Sequence, residues 1–228
     1  MGPLGSGERR SVADGRSDKA RRLELGRQRR AKTRARVIAA AFELFGEEDG
    51  LYARIEDVSQ KAGITRATFY DHFSGMAELR DAVTYEVTHD FLTSVTHTVS
   101  LLQDPRERIS VAIRFYLHRV REVPGWARSM INLSANGIIF GAETFRQAEL
   151  TVVDAIAARQ VTIEDSAIGR DSILGTTIAA ISTMLRGERS ADYPERVATV
   201  ILVGLGVSPE NAAEIALRPL PALVVLLS

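Results

Sequence analysis

Apolar residues return every three or four positions along most of this chain, the spacing of helices rather than the alternation of half-buried strands. Val37, Ile38, Ala41, Phe42 and Phe45 give a first helix, beginning near Gln28, one buried stripe, and the glycines in 46–50 stop it. Ile55, Val58, Ser59 and Ala62 line one side of a short second helix, with Gly63 in its C-terminal capping position. Thr65 is a good N-cap for a third helix over 66–73. Two short helices joined by a tight turn carrying glycine make a helix-turn-helix. Beyond Gly75, Leu79, Val83, Val87, Phe91, Val95 and Val99 space out one long helix, and Ile109, Ala112, Ile113, Tyr116, Leu117 and Val120 a second. Pro105 and the Pro124-Gly125 pair punctuate them. Further helices are expected over 129–140, 142–158, 165–186, 193–205 and 209–217, with Pro194 and Pro209 in first-turn positions. The fold expected is all-α: an N-terminal three-helix helix-turn-helix domain over 28–75, its motif at 54–73, and a C-terminal helical bundle over 76–228.

Charge divides the chain as sharply as hydropathy does. Residues 9–36 hold twelve Lys and Arg against three acids, a net of +9, while the rest of the chain carries −9. Such asymmetry fits one end meeting a polyanion such as nucleic acid, or else a solvated tail. Residues 1–27 lack apolar periodicity and are rich in Gly, Ser and Arg, so they are expected to form a disordered basic arm. The chain has no cysteine, which excludes disulfides, thiolate zinc sites and a cysteine nucleophile. Its N-terminus is polar and basic and no apolar run is long enough to span a bilayer, so a cytoplasmic location with no membrane partner is expected.

Enzyme signatures are missing. Residues 200–206, VILVGLG, imitate a strand entering a dinucleotide loop, but Pro209 occupies the third glycine position and no strands alternate with helices. There is no G-x-S-x-G, P-loop or H-E-x-x-H. His89 and His97 lie eight apart with Glu86 and Asp90 near, whereas a spacing of four is usual for a metal pair on one helix. No metal, no cofactor and no catalytic residue are therefore expected.

Residues 54–73 read RIEDVSQKAGITRATFYDHF and resemble the helix-turn-helix of the TetR family of bacterial transcriptional regulators. Ala62-Gly63-Ile64-Thr65 and Thr68-Phe69-Tyr70-Asp71-His72-Phe73 match its pattern residue for residue. Two positions depart from it: Met76 stands where the family usually has a lysine that contacts phosphate, and Arg54 where Ser or Thr is common. In a major groove, the N-terminal end of the third helix offers Arg66, Ala67 and Thr68 to base edges, with Arg66 suited to guanine. Thr65, Tyr70 and His72 fall where phosphates run, Tyr70 being open also to half-buried packing, and Lys61 and Arg54 add charge from the second helix. Val58, Phe69 and Phe73 read as core.

The resemblance implies a homodimeric repressor that binds a palindromic double-stranded operator and is released by a small molecule. A transcriptional activator or a ligand-independent regulator of the same fold is the alternative. The C-terminal bundle would then bind both ligand and partner subunit. Family likeness assigns the dimer interface to Ile168, Leu174, Ile178, Ile181 and Leu185 with Val197, Val200, Ile201 and Leu205, unless these helices are buried within one subunit. Phe91, Phe115, Tyr116, Trp126, Met130, Phe140 and Phe145 are candidate pocket liners, each also readable as core, and His118, Asn132 and Asn136 candidate polar contacts. The apolar run 223–227 is expected to pack on the bundle or its partner.

Overall fold

The computed structural model describes residues 8–134 and 140–225, with side chains except at 8–20 and at 87–88. Among these residues the chain is helical throughout, with no strand: α1 (Glu8–Phe45), α2 (Ile55–Ala62), α3 (Arg66–Tyr70), α4 (Met76–Ser100) and α5 (Pro105–Glu122), then α6 (Pro124–Ser134), α7 (Gly141–Ala157), α8 (Ser166–Leu185), α9 (Tyr193–Gly204) and α10 (Pro209–Leu217). No described helix is long and apolar enough to cross a membrane.

Three boundaries differ from those the spacing predicts. Helix α1 begins at Glu8 rather than near Gln28, so the segment expected as a disordered arm is helical from there on. It carries no apolar stripe and periodicity is silent, yet Arg, Leu, Gln, Glu, Lys and Ala are strong helix formers that extend a helix already nucleated by its packed end. Helix α3 stops at Tyr70, short of Phe73. Pro124-Gly125 marks the break after α5 and itself opens α6, ahead of the start expected at 129, since a first-turn proline gives up no helical hydrogen bond.

The small domain closes on Val37, Ala41, Phe45, Val58, Phe69 and Phe73, all essentially inaccessible to solvent. Gly63 adopts the left-handed conformation (φ 62°), and its N–H donates to the Gln60 and Ser59 carbonyls to end α2. In the larger domain α5 is buried nearly all round, from Ile109 and Val111 through Phe115, Tyr116 and Leu117 to Val120, and is the central helix on which α7, α8 and α9 pack. Asp104 caps it by accepting from the Arg106 N–H (2.9 Å). VILVGLG proves to be the C-terminal half of α9 and its exit, where Gly206 has φ 93° and a side chain would overlap Thr162. Of the apolar run, Leu223 lies against the core and the Val224 N–H donates to Thr98 Oγ1 (3.0 Å), while the Val224 and Val225 side chains are exposed. Residues 226 and 227 of that run lie outside the described residues.

One charge sits in the core of this domain. Arg114 is only 5% exposed, and its Nε lies 3.1 Å from Glu195 of α9 while Nη1 donates to the Arg218 carbonyl (2.8 Å). Arg114→Met leaves the partly buried Glu195 carboxylate with only His118 (3.4 Å) beside it, and should cost about 2 kcal/mol in urea denaturation. Replacing both as Arg114→Met with Glu195→Leu should cost much less, and equal losses would show that the pair is not what ties α5 to α9.

Candidate nucleic-acid interface and the cavity behind it

Helix α3 is fixed at its start by short-range chemistry. Thr65, extended at φ −84° and ψ 160°, accepts from the Thr68 N–H through its side chain (3.1 Å), and the two hydroxyls lie 3.0 Å apart. Thr65, Arg66, Ala67 and Tyr70 are exposed, and Thr68 and His72 are half-buried. Tyr70 is 50% exposed and meets Phe69 edge to face at 5.6 Å, so it packs on one side and is open on the other. The Tyr70 hydroxyl first, and then Glu56 at 2.7 Å, hold the Arg66 guanidinium in its charged form. Arg66 is thus parked on an acid of α2. An exposed pair of this kind is screened by solvent and weak, so the guanidinium is readily drawn to another acceptor.

The second-helix cations are placed less simply. Lys61 bridges Glu43 (3.2 Å) and Glu47 (3.3 Å), whose hydrogen bonds raise its pKa, so it fastens α2 to the end of α1 rather than standing free. Arg54 is exposed, and its backbone N–H donates to Asp57 (2.8 Å), which supplies the capping that a Ser or Thr at 54 would share. Met76 packs partly buried against the core.

Behind this surface the two domains are joined at the C-terminal end of α1, where the Phe45 carbonyl has no backbone partner among the described residues. Helix α6 supplies the donors: Ser129 Oγ to the Phe42 carbonyl (3.2 Å), and Asn132 Nδ2 to the Phe45 (2.8 Å) and Glu47 (3.3 Å) carbonyls. Arg80 of α4 donates to the Leu51 (2.8 Å) and Asn132 (3.2 Å) carbonyls and stacks over Phe45 at 4.6 Å. Burial lowers the Arg80 pKa from its ordinary value. Arg80 and Ser129 were not singled out from sequence, because nothing local marks a residue that serves another helix's end.

Between α4, α5, α7 and α8 lies a cavity of about 350 Å3, walled by Val95, Ile109, Ile113, Tyr116, Thr144 and Leu174 among others. Of the liners expected from sequence, Tyr116 and Phe140 face it. Phe91 and Trp126 instead back it, packed on Tyr116 at 5.2 and 6.0 Å, while Phe115 and Met130 are buried core. Phe145 lies under the Arg170 guanidinium (3.8 Å), His118 is 3.4 Å from Glu195, and Asn132 belongs to the interdomain joint; Asn136 lies outside the described residues. Burial pushes the Tyr116 phenol up to about 12, so it is a neutral hydroxyl, 3.3 Å from Thr144 Oγ1.

The expected interface residues also divide. Leu174, Ile181, Val197, Ile201 and Leu205 are buried within the subunit, because α8 and α9 pack on α5 and on each other through those faces. Ile168 (58% exposed) and Val200 (65%) remain outward, with Ile178 and Leu185 half-buried. The apolar count of a helix does not say which of its faces is already taken.

Comparisons with known proteins follow the same two-part layout. Residues 37–83 match the description "Bacterial regulatory proteins, tetR family", and residues 104–218 match "Tetracyclin repressor-like, C-terminal domain". The "Uncharacterized HTH-type transcriptional regulator MT1294" of Mycobacterium tuberculosis (strain CDC 1551 / Oshkosh) is 30% identical over 108 residues, 47% of this chain and 50% of that protein. The "HTH-type transcriptional activator FasR" of Mycolicibacterium smegmatis (strain ATCC 700084 / mc(2)155) is 26% identical over 87 residues, 38% of this chain and 40% of FasR. The chain spans about half the length of the curated relatives it matches. The crystal structure of RolR in complex with its ligand resorcinol is 26% identical, with a TM-score of 0.67 over 86% of this chain and 99% of that chain.

Thr65→Ala removes the cap of a five-residue helix and should lower stability by about 1 kcal/mol in urea denaturation. No loss would mean that the turn, rather than the hydroxyl, sets the helix start.

Proposed function

The chain belongs to the TetR family of bacterial regulatory proteins, and on that premise we propose that it is a homodimeric repressor released from a palindromic operator by a small molecule. The observation that carries this reading is the hydrogen-bonded joint between α6 and the end of α1, which ties a cavity-bearing domain to a capped reading helix. Arg66, Ala67 and Thr68 take the base edges, and Thr65, Tyr70, His72 and Arg54 the backbone. One such helix gives little affinity, since a good bidentate base contact discriminates by only about 1 to 3 kcal/mol. Two subunits double the contacts. The outward faces of α8 and α9, with Ile168, Val200 and Val203 exposed beside Gly175 and Ala179, provide the apolar surface for that pairing.

The effector fits the cavity as a small, uncharged, largely apolar molecule bearing hydroxyl groups, the class of RolR's resorcinol. The cavity wall is mainly apolar, its charged members Arg108 and Asp154 are paired at 2.9 Å, and Tyr116 and Thr144 offer hydroxyls whose mutual hydrogen bond is long. Such a molecule acts as inducer if it binds the DNA-incompetent arrangement more tightly than the competent one.

Selection of protein-bound duplexes from a random pool at about 100 mM salt, which holds down nonspecific phosphate attraction, should recover an inverted repeat. A pool with no enriched motif contradicts operator recognition. The similarity to the activator FasR supports a second reading, activation, and the position of the recovered sites relative to promoters decides between the two. Val200→Arg places a charge on the pairing face and should convert the dimer to a monomer in sedimentation velocity; a retained dimer would move the interface elsewhere.

A further inference from the structure

We propose that the N-terminal extension of α1 is a second DNA-binding surface, a cationic helix that engages duplex phosphates beside the site that α3 reads. The proposal rests on the DNA-binding reading above and adds to it a contact outside the helix-turn-helix.

Residues 21–32 of α1 are exposed on every side, and the helix meets the body first through the Arg30 side chain and then at Thr33 and Arg34. From Glu8 to Arg29, ahead of that contact, the helix runs for about 33 Å at 1.5 Å per residue, close to one turn of B-form DNA. Residues 21–36 carry eight cations and one acid, Glu24, which takes its hydrogen bond from Gln28 (3.1 Å) rather than from a cation. Arg21, Arg22, Arg27, Arg29, Lys32 and Arg36 form no ion pair or hydrogen bond with any described residue. Like charges three and four apart, as at Arg29, Lys32 and Arg36, repel along a helix, so this stretch is relieved by an external polyanion.

The root of the projection is fixed beside the reading helix. Arg30 donates to the carbonyl of Asp71, the residue that ends α3 (2.7 Å), and Arg34 pairs with Glu86 (2.8 Å) while lying 5.2 Å from the Phe73 ring centre. The free cations therefore emerge next to Tyr70 and His72, where a groove-bound α3 meets the backbone. A membrane surface fits less well. Leu23 and Leu25, the large exposed apolar residues of this stretch, lie on opposite sides of the helix and form no apolar face. Duplex DNA presents a charge every 1.7 Å or so, and arginine forks match its phosphate oxygens.

The test compares the full chain with a variant carrying Arg21→Gln, Arg22→Gln, Arg27→Gln and Arg29→Gln together. Glutamine keeps helix propensity, and far-UV circular dichroism checks that helix content survives. Fluorescence anisotropy with a random-sequence duplex, measured across salt concentrations, should show the slope of log affinity against log salt falling by roughly 2 to 4 units, at about 0.9 per phosphate. An unchanged slope overturns the proposal, as does tighter binding of the parent chain to phosphatidylserine vesicles than to the duplex. The duplex has no palindrome, so this outcome is independent of whether selection recovers one.

Discussion

The last turn of α1 ends in carbonyls that side chains of α6 meet: that of Phe42 also accepts from the Gly46 N–H (3.0 Å), while that of Phe45 has no backbone partner among the described residues. Ser129 and Asn132 donate to them from α6, and Arg80 closes the same junction from α4 while covering Phe45. An unmade bond to a buried backbone carbonyl costs on the order of 1 to 3 kcal/mol, so α6 cannot drift from α1 without a penalty that the small domain feels. The small domain is therefore docked through its first helix, the one that also carries the stripe against which α2 and α3 pack.

The cavity lies on the other side of the same elements. Helix α4 lines it with Val95 and carries Arg80 at the joint, and Trp126 of α6 packs against Phe91 at 5.3 Å and Tyr116 at 6.0 Å. Tyr116 faces the cavity and packs on aromatics that continue into α6. Interiors packed at this density respond by small rigid shifts of whole helices rather than by local compression. Position in the fold thus gives the proposed effector a short mechanical route to the reading helix, with no residue in common between the two sites.

What sequence revealed and what it did not follow one physical divide. The helix-turn-helix was legible because its determinants are local: Gly63 must take a left-handed backbone, Thr65 must cap, and Phe69 and Phe73 must return to one face. The pocket was not, because Phe91, Tyr116 and Trp126 are equally aromatic and only the packing of four helices decides which of them meets empty space. Asn132 read as a polar pocket contact and is instead a cap for a helix that ended long before it in the chain. Leu174 and Ile181 read as interface and are spent inside the subunit, leaving Ile168 and Val200 outside. The helical arm escaped periodicity because a helix with no buried face has no period to show.

The central claim is that cavity occupancy reaches the reading helix through the joint at the end of α1. It can be tested without knowing the effector by filling the cavity from within, using Ala112→Phe, and by breaking the joint with Asn132→Ala, singly and together. Affinity for a selected operator duplex is measured for all four proteins, with thermal unfolding confirming that each is folded. The account predicts that Ala112→Phe weakens binding in the intact protein and does so far less once Asn132 is gone, a coupling visible as non-additivity in the cycle. Strictly additive effects, or a filled cavity with undiminished operator affinity, would contradict it.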